Sequence, residues 1–332
     1  MRGKYGYYSK NFSPYQFRQL RIVEFPSYMN FAQAFPGTIP YSEAAGFITD
    51  SEDPNRIDFI TYVTAHEIGH QWWAHQVIGA DMQGQTVLSE TLAQYSAITV
   101  MEHMNGQANI RKFLKGSLDS YLRNRATDIL GEVPLEEVEG QAHIRYQKGG
   151  LVMYLLKDQM GEDAVNRALC AMVADYGFKG PPYPTSRDLI ERLRAQAGPE
   201  QQDLITDLFQ KITMYDLKVT GGRKTRLADG KGNVAIDVEA HKRYADAKGA
   251  ETEAPLDGSF DIGVFSAEPG KKSFTDDSVL SFEKQRVRTG KQTFNVVVDQ
   301  EPRFVGFDPY NKYVDKDSED NVLQVAEAEA AT

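Results

Sequence analysis

The segment Ala65-His66-Glu67-Ile68-Gly69-His70-Gln71-Trp72-Trp73 decides how this chain is to be read. On an α-helix residues four apart share a face, so His66 and His70 can turn their imidazoles towards one ion. Glu67, one residue on, is rotated off the ligand direction yet near enough to reach a water at the metal. Imidazole nitrogens and a carboxylate suit zinc, and a catalytic zinc keeps its fourth position open for water. Three fixed positions are a moderate signal by themselves, because a third ligand has to come from elsewhere. The next helical stretch offers Leu88-Ser89-Glu90-Thr91-Leu92-Ala93-Gln94-Tyr95, and the interval from His70 to Glu90 is enough for a helix–loop–helix to return a carboxylate.

Working outward, the texture of the chain changes twice. Residues 1–50 are rich in Tyr, Phe and Pro and read as an extended entry segment, with Leu20–Phe25 alternating and stopping at Pro26. Residues 54–214 read as helical, Pro54 suiting a helix start. Apolar spacing predicts further helices over 86–104, 107–126, 144–160, 162–176, 185–197 and 200–213, punctuated by Gly106, Gly161, Gly180–Pro184 and Gly198-Pro199. From 215 to 325 short alternating runs take over: Asp216–Thr220, Asn233–Glu239, Phe260–Phe265 and Thr293–Val298. Their spacing and glycine-rich turns predict a small β-sandwich, with 326–332 as a frayed tail. The fold class expected is therefore α+β.

Bulk properties narrow the function. With 332 residues, 41% hydrophobic and 25% charged, the composition is that of a globular protein with room for two domains. A formal net charge of −10 argues against tracking nucleic-acid phosphates or lying on an anionic membrane. The single cysteine, Cys170, rules out an internal disulfide framework; within Ala168–Met172 it reads as a buried, inert thiol. No run approaches the roughly 18 apolar residues of a membrane span. The basic start Met1-Arg2-Gly3-Lys4 has no apolar run behind it, unlike a signal peptide.

At this point the chain resembles the zinc aminopeptidases of the aminopeptidase N type, within the gluzincins. His66–Trp73 matches the HExxH segment with its tryptophan, and Glu90-Thr91-Leu92-Ala93-Gln94-Tyr95 matches the family's downstream glutamate segment. Nineteen residues (71–89) separate the two where the family has eighteen, which reads as a one-residue loop insertion. Arg145-Tyr146-Gln147-Lys148-Gly149-Gly150 resembles the family's Tyr-x-Lys-Gly segment, which implies that Tyr146 steadies the transition-state oxyanion. Pro40–Ile48 resembles in part the family's G-x-M-E-N-x-G segment; Glu43 and Gly46 take the matching positions, with Ser42 and Ala44 replacing Met and Asn. The resemblance implies that Glu43 holds a substrate's free amino terminus.

It further implies a thermolysin-like catalytic domain over 1–214, one zinc ion on His66, His70 and Glu90, and Glu67 as general base. The large β domain that precedes this one in the family has no counterpart here, so Met1 reads as a cut near a domain boundary. The chain also resembles the peptidase half of bacterial proteins fused to a multi-span ABC-type permease. That implies a peptide substrate, a membrane permease partner and an extracytoplasmic position. Two other readings stay open: a thermolysin-like endopeptidase, if Glu43 does not face the site, and a non-catalytic peptide-recognising module supporting a transporter.

Other candidates carry less. His75 reads as a packing or pocket residue beside the tryptophans, His103 is a ligand by chemistry only, and His143 reads as a solvated loop histidine. Asp315-Lys316-Asp317-Ser318-Glu319-Asp320-Asn321 superficially resembles a calcium loop, but it lacks the glycine and the terminal glutamate at proper spacing. It reads as a solvated acidic turn.

Overall fold

The computed structural model describes residues 2–46 and 57–327, and the chain clusters into two units: Met1–Met104 with Val133–Lys211, and Asn105–Glu132 with Ile212–Thr332. The first is largely helical; the second carries two sheets and one long helix. The architecture is α+β.

In the first unit β1 (Arg21–Phe25) pairs parallel with β2 (Thr38–Ser42), which runs into the short helix α2 (Glu43–Gly46). Ahead of them the expectation of an extended entry segment fails, because Arg2–Asn11 forms helix α1. Its own amphipathic signal is weak, and tertiary packing decides the matter. Tyr8 is fully buried, stacks on Phe12, meets Trp72 edge-on at 5.5 Å and donates to the Ala65 carbonyl at 3.0 Å. The expected helix start at Pro54 lies outside the described residues. Helix α3 (Phe59–Gly69) begins where the Asp58 carboxylate accepts the Thr61 N–H at 2.9 Å.

The remaining helices are α4 (Leu92–Asn105), α5 (Gln107–Thr127, part of the second unit), α6 (Gly149–Met160), α7 (Glu162–Tyr176), α8 (Ser186–Gln196) and α9 (Pro199–Phe209). α4 and α6 are buried nearly all round, through Leu92, Tyr95, Ile98 and Met101 on one and Leu151–Leu156 on the other, as core helices are. Both are entered through π-helical turns, Val87–Thr91 and His143–Lys148. Cys170, expected inside, is exposed on the outer side of α7, while Ala168, Leu169 and Met172 face in. α7 is buried along one face only, and the helical period turns Cys170 to the other.

Helix α9 ends at Phe209 rather than near 213, since Ile212-Thr213-Met214-Tyr215 opens the 15-residue strand β3 (Ile212–Arg226). β3 forms a long hairpin with β4 (Gly232–Ala245). On β4 follow β5 (Glu251–Ala254) and, on the same side of the chain pairing, β8 (Gly290–Val298); the other sheet runs β10-β9-β6-β7, with β6 Asp257–Phe265, β7 Val279–Arg288, β9 Phe304–Phe307 and β10 Val322–Gln324. Alternate residues Val234, Ile236, Val238 and Ala240 of β4 are buried, with Ile262, Val264 and Phe307 supplying further core. Helix α5 belongs to this unit, its Ile110, Phe113, Leu114, Leu118 and Tyr121 are buried, and Arg111 donates to the Pro309 carbonyl at 2.9 Å.

Two endings differ from expectation. Ala326–Glu327 forms β11 beside Arg223–Lys224, while the rest of the expected tail, 328–332, lies outside the described residues. The Asp315–Asn321 segment is not a solvated turn. Asp315 and Asn321 are fully buried, and only Lys316, Asp317 and Glu319 face water. Among the described residues no helix is long and apolar enough to cross a membrane.

Candidate metal centre

The last turn of α3 carries the two imidazoles. Its approach to α4 depends on small residues: a Cβ on Gly69 would meet the Ala93 Cα at 3.2 Å, so the two backbones run close together there. Trp72 and Trp73, both fully buried, fasten the end of α3, with indole N–H groups donating to the Ser13 carbonyl at 3.0 Å and to the Ser96 hydroxyl at 3.0 Å. Glu90 arrives from the π turn before α4.

The three side chains converge. The Nε2 atoms of His66 and His70 are 3.1 Å apart, and each lies 3.3 Å from the same Glu90 oxygen, Oε2. Ligands at about 2.0–2.1 Å around a tetrahedral centre are spaced by roughly 3.3 Å. Among the described residues this is the one set of three His, Cys, Asp or Glu side chains whose donor atoms lie within 4.8 Å of one another. Its nitrogen and oxygen donors fit zinc. The His70 Nδ1 lies 3.0 Å from the Trp73 carbonyl, which fixes the proton on Nδ1 and leaves the Nε2 lone pair for a metal. The His66 Nδ1 is enclosed and has no hydrogen-bond partner among the described residues.

Charge follows the same arrangement. Burial alone would push the Glu90 carboxyl up, but hydrogen-bonding contact with His66 and His70 wins and holds it well below the usual range. Glu67 is 7% exposed, and its carboxyl is pushed up by burial and by the charge of Glu90, against the pull of the two imidazoles and of the Ala34 backbone N–H. Neighbouring carboxyls are thus driven apart: one held ionised, the other given appetite for a proton.

Tyr146 sits on the π turn His143–Lys148, its ring centroid 5.8 Å from that of His66. Burial, then the charge of Glu90, push its phenol up to about 12, so it keeps its proton at neutral pH. The Arg145 guanidinium lies over its ring, 5.1 Å from the centroid, and opposes that shift. Glycine brings this turn to the other one. A Cβ on Gly149 would lie 2.4 Å from the Thr91 Oγ1, and that hydroxyl donates to the Arg145 carbonyl at 2.6 Å.

Glu43 opens α2 directly after β2 and is half-buried. Two residues earlier Tyr41 is buried, and its phenol is pushed up to about 12 by burial, with the Glu67 charge contributing. Of the other histidines, His75 is half-buried, its proton affinity lowered by burial and then by His70, with an enclosed Nδ1 that has no hydrogen-bond partner among the described residues. His103 is exposed and lies 3.0 Å from Glu162, away from the metal set. His143, expected in solvent, is buried, because the segment before α6 is a packed π turn rather than a loop. Sequence reading missed the Ala34 N–H, the Trp73 carbonyl and the Gln94–Tyr62 hydrogen bond. The first two are backbone groups and leave no side-chain signature.

Residues 5–211 match the peptidase family M1 domain. The chain is 24% identical over 213 residues to a probable aminopeptidase 1 of Sulfurisphaera tokodaii, covering 62% of this chain and 27% of that protein. It is 21% identical over 182 residues to human endoplasmic reticulum aminopeptidase 2, covering 52% of this chain and 19% of that one. The chain thus spans about a quarter or less of these relatives' lengths. An M1 zinc metallopeptidase from Deinococcus radiodurans superposes with a TM-score of 0.46 at 19% identity, over 60% of this chain and 42% of that one.

Proposed function

The chain belongs to peptidase family M1 through residues 5–211, and on that premise we propose that it is a zinc aminopeptidase that removes residues from the free amino ends of peptides. The observation that carries this reading is the convergence of the His66 and His70 Nε2 atoms on one Glu90 oxygen, with the buried Glu67 alongside. The chemistry zinc supplies when bound there is Lewis acidity towards a carbonyl and a water of lowered pKa.

The chain's own residues do the rest. Glu67, its proton affinity raised by burial, takes the proton of the attacking water and hands it to the departing amine. Tyr146 keeps its phenolic proton and donates it in a hydrogen bond to the oxygen on which charge develops. Glu43 pairs with the substrate's ammonium, which rewards a free amino terminus over an internal peptide. Its position two residues past Tyr41, whose phenol feels the Glu67 charge, supports this role. A membrane permease as partner and an extracytoplasmic position belong to the same proposal, supported by the sequence resemblance to permease-linked peptidases. Retention of the native gene product in membranes after a salt wash tests that part.

The central test combines elemental analysis with paired substrates. One zinc per chain is expected, with hydrolysis of an aminoacyl-coumarin and no hydrolysis of its N-acetylated counterpart. Glu67→Ala should keep the zinc and lose turnover. Equal cleavage of blocked and free peptides would reassign the protein as an endopeptidase, and absence of stoichiometric zinc would end the hydrolase reading.

A further inference from the structure

The segment singled out earlier as an acidic turn is buried at its two ends, Asp315 and Asn321, and that burial leaves polar atoms without a hydrogen-bond partner among the described residues. Asp308, Asn311, Asp315 and Asn321 are all 0% exposed, and all belong to the strand-rich unit. Asp308 is pinned, its two oxygens accepting the N–H groups of Lys312 at 3.1 Å and Tyr313 at 3.0 Å. The Asp315 Oδ1 accepts the Leu217 N–H at 3.3 Å and its enclosed Oδ2 has no hydrogen-bond partner among the described residues, while the Asn321 side chain lies near enough to act on the carboxyl. The Asn321 Nδ2 donates to the Phe307 carbonyl at 2.8 Å, while its Oδ1 has no partner among the described residues. Neither atom of the Asn311 carboxamide has one among the described residues.

Buried polar atoms are nearly always satisfied in folded proteins, so three partnerless oxygens within eleven residues point to something that binds them. The charges point the same way. Lys312 and Lys284 pair with Asp261 at 2.7 and 3.1 Å, and the Lys312 charge also reaches Asp308, whereas no cation is among the groups that act on Asp315. Asp308 and Asp315 are near enough for each carboxylate to feel the other. Two buried carboxylates and two carboxamides offer the oxygen donors that a hard divalent cation takes.

We propose that Asp308, Asn311, Asp315 and Asn321 hold a structural cation of the calcium class, separate from the His66–His70–Glu90 set. The segment is held ready for it. The Tyr215 N–H donates to the Val314 carbonyl and the Lys316 N–H to the Tyr215 carbonyl, both at 2.9 Å. Farther on, the Val219 N–H donates to the Asp320 carbonyl at 3.0 Å and the Phe307 N–H to the Asn321 carbonyl at 2.8 Å. These bonds tie the loop to β3 and β9 at both ends, so the donors are positioned by strands rather than by the loop alone. The bland alternative is enclosed water beside a protonated Asp315, which would be indifferent to calcium.

The test uses the zinc-loaded full chain, dialysed free of calcium and then titrated with calcium chloride or magnesium chloride. Calorimetry should register one calcium per chain. At about a hundredfold excess over Kd, the melting temperature of the strand-rich unit should rise by roughly 5 °C, with a smaller rise for magnesium. Asp315→Asn should abolish the shift while zinc content and peptide turnover stay at wild-type values. Asn311→Ser should weaken calcium binding about tenfold, and it decides the matter if Asp315→Asn does not fold. A wild-type protein whose melting ignores calcium, or a shift that survives both substitutions, overturns the proposal.

Discussion

Gly149→Ala is the most informative single change at the metal centre. The added methyl would lie 2.4 Å from the Thr91 Oγ1 and 2.7 Å from its Cγ2, where ordinary contact begins at 3.4 Å, so the two π turns must part by about 1 Å. Gly149 has ordinary helical backbone, and alanine there gains about 1 kcal/mol of helix propensity. Overpacking costs about 1–3 kcal/mol, so the net loss of stability should be small, about 0–2 kcal/mol. Turnover should suffer more. The parted turns carry Tyr146 and Glu90, and a displacement of about 1 Å at reacting groups is worth roughly a hundredfold in rate. The assay is kcat and KM on an aminoacyl-coumarin, with zinc content and melting temperature measured on the same preparation. Thr91→Ala removes the two closest atoms and leaves only its Cβ, at 3.1 Å, to be eased, at the cost of one hydrogen bond to the Arg145 carbonyl, about 1 kcal/mol. The double variant should therefore recover at least tenfold of the lost kcat. Turnover of Gly149→Ala within threefold of wild type, or a deficit that Thr91→Ala leaves untouched, would refute the idea that this contact sets the spacing of the two turns.

Three further expectations follow from local geometry. Tyr146→Phe should lower kcat by about 10²–10³ with little change in KM, because the phenol acts on charge that exists only in the transition state; steady-state kinetics decide. Ala74 has φ of 107°, a conformation that costs any L-residue but glycine, so Ala74→Gly should stabilise the protein by about 1 kcal/mol in urea denaturation. Glu162 is held below its ordinary value: burial raises it, but hydrogen bonds from Tyr7 and His103 and the charge of Lys157 prevail. Its stabilising contribution is present above the unfolded carboxyl pKa of about 4.3 and is lost as pH falls through the lower folded value, so Glu162→Gln should flatten that part of the acid limb of the stability curve.

The metal stripe was legible because a helix spaces His66 and His70 onto one face whatever surrounds it. Glu90 was reachable from its interval to His70, and Tyr146 only through resemblance; the π-helical turns that aim both are announced by no side-chain pattern. The nineteen-residue spacer read as an insertion in a loop. A π turn holds one residue more than an α turn, and Glu90 lies in one, so the helix itself can absorb the extra residue. The first helix escaped notice because its helicity comes from Tyr8 and Phe12 packing on the tryptophans, a long-range effect. The burial of Asp315 and Asn321 was hidden for a related reason: charge in sequence suggests water, and only pairing against β3 and β9 takes those residues out of it.

Helix α5 has a bearing on how this protein can be dissected. It is threaded into the middle of the helical half of the sequence, yet it shares the strand-rich unit with β3 to β11. On a ribosome it emerges long before any strand it will lie against, and Ile110, Phe113, Leu114 and Leu118 must stay soluble until then. A truncation after Lys211, natural to anyone reading the helices as one block, would strand those side chains permanently. The cut that follows the units removes 212–332 together with 105–132, a short bridge taking the place of the latter, so that the peptidase unit keeps its own residues.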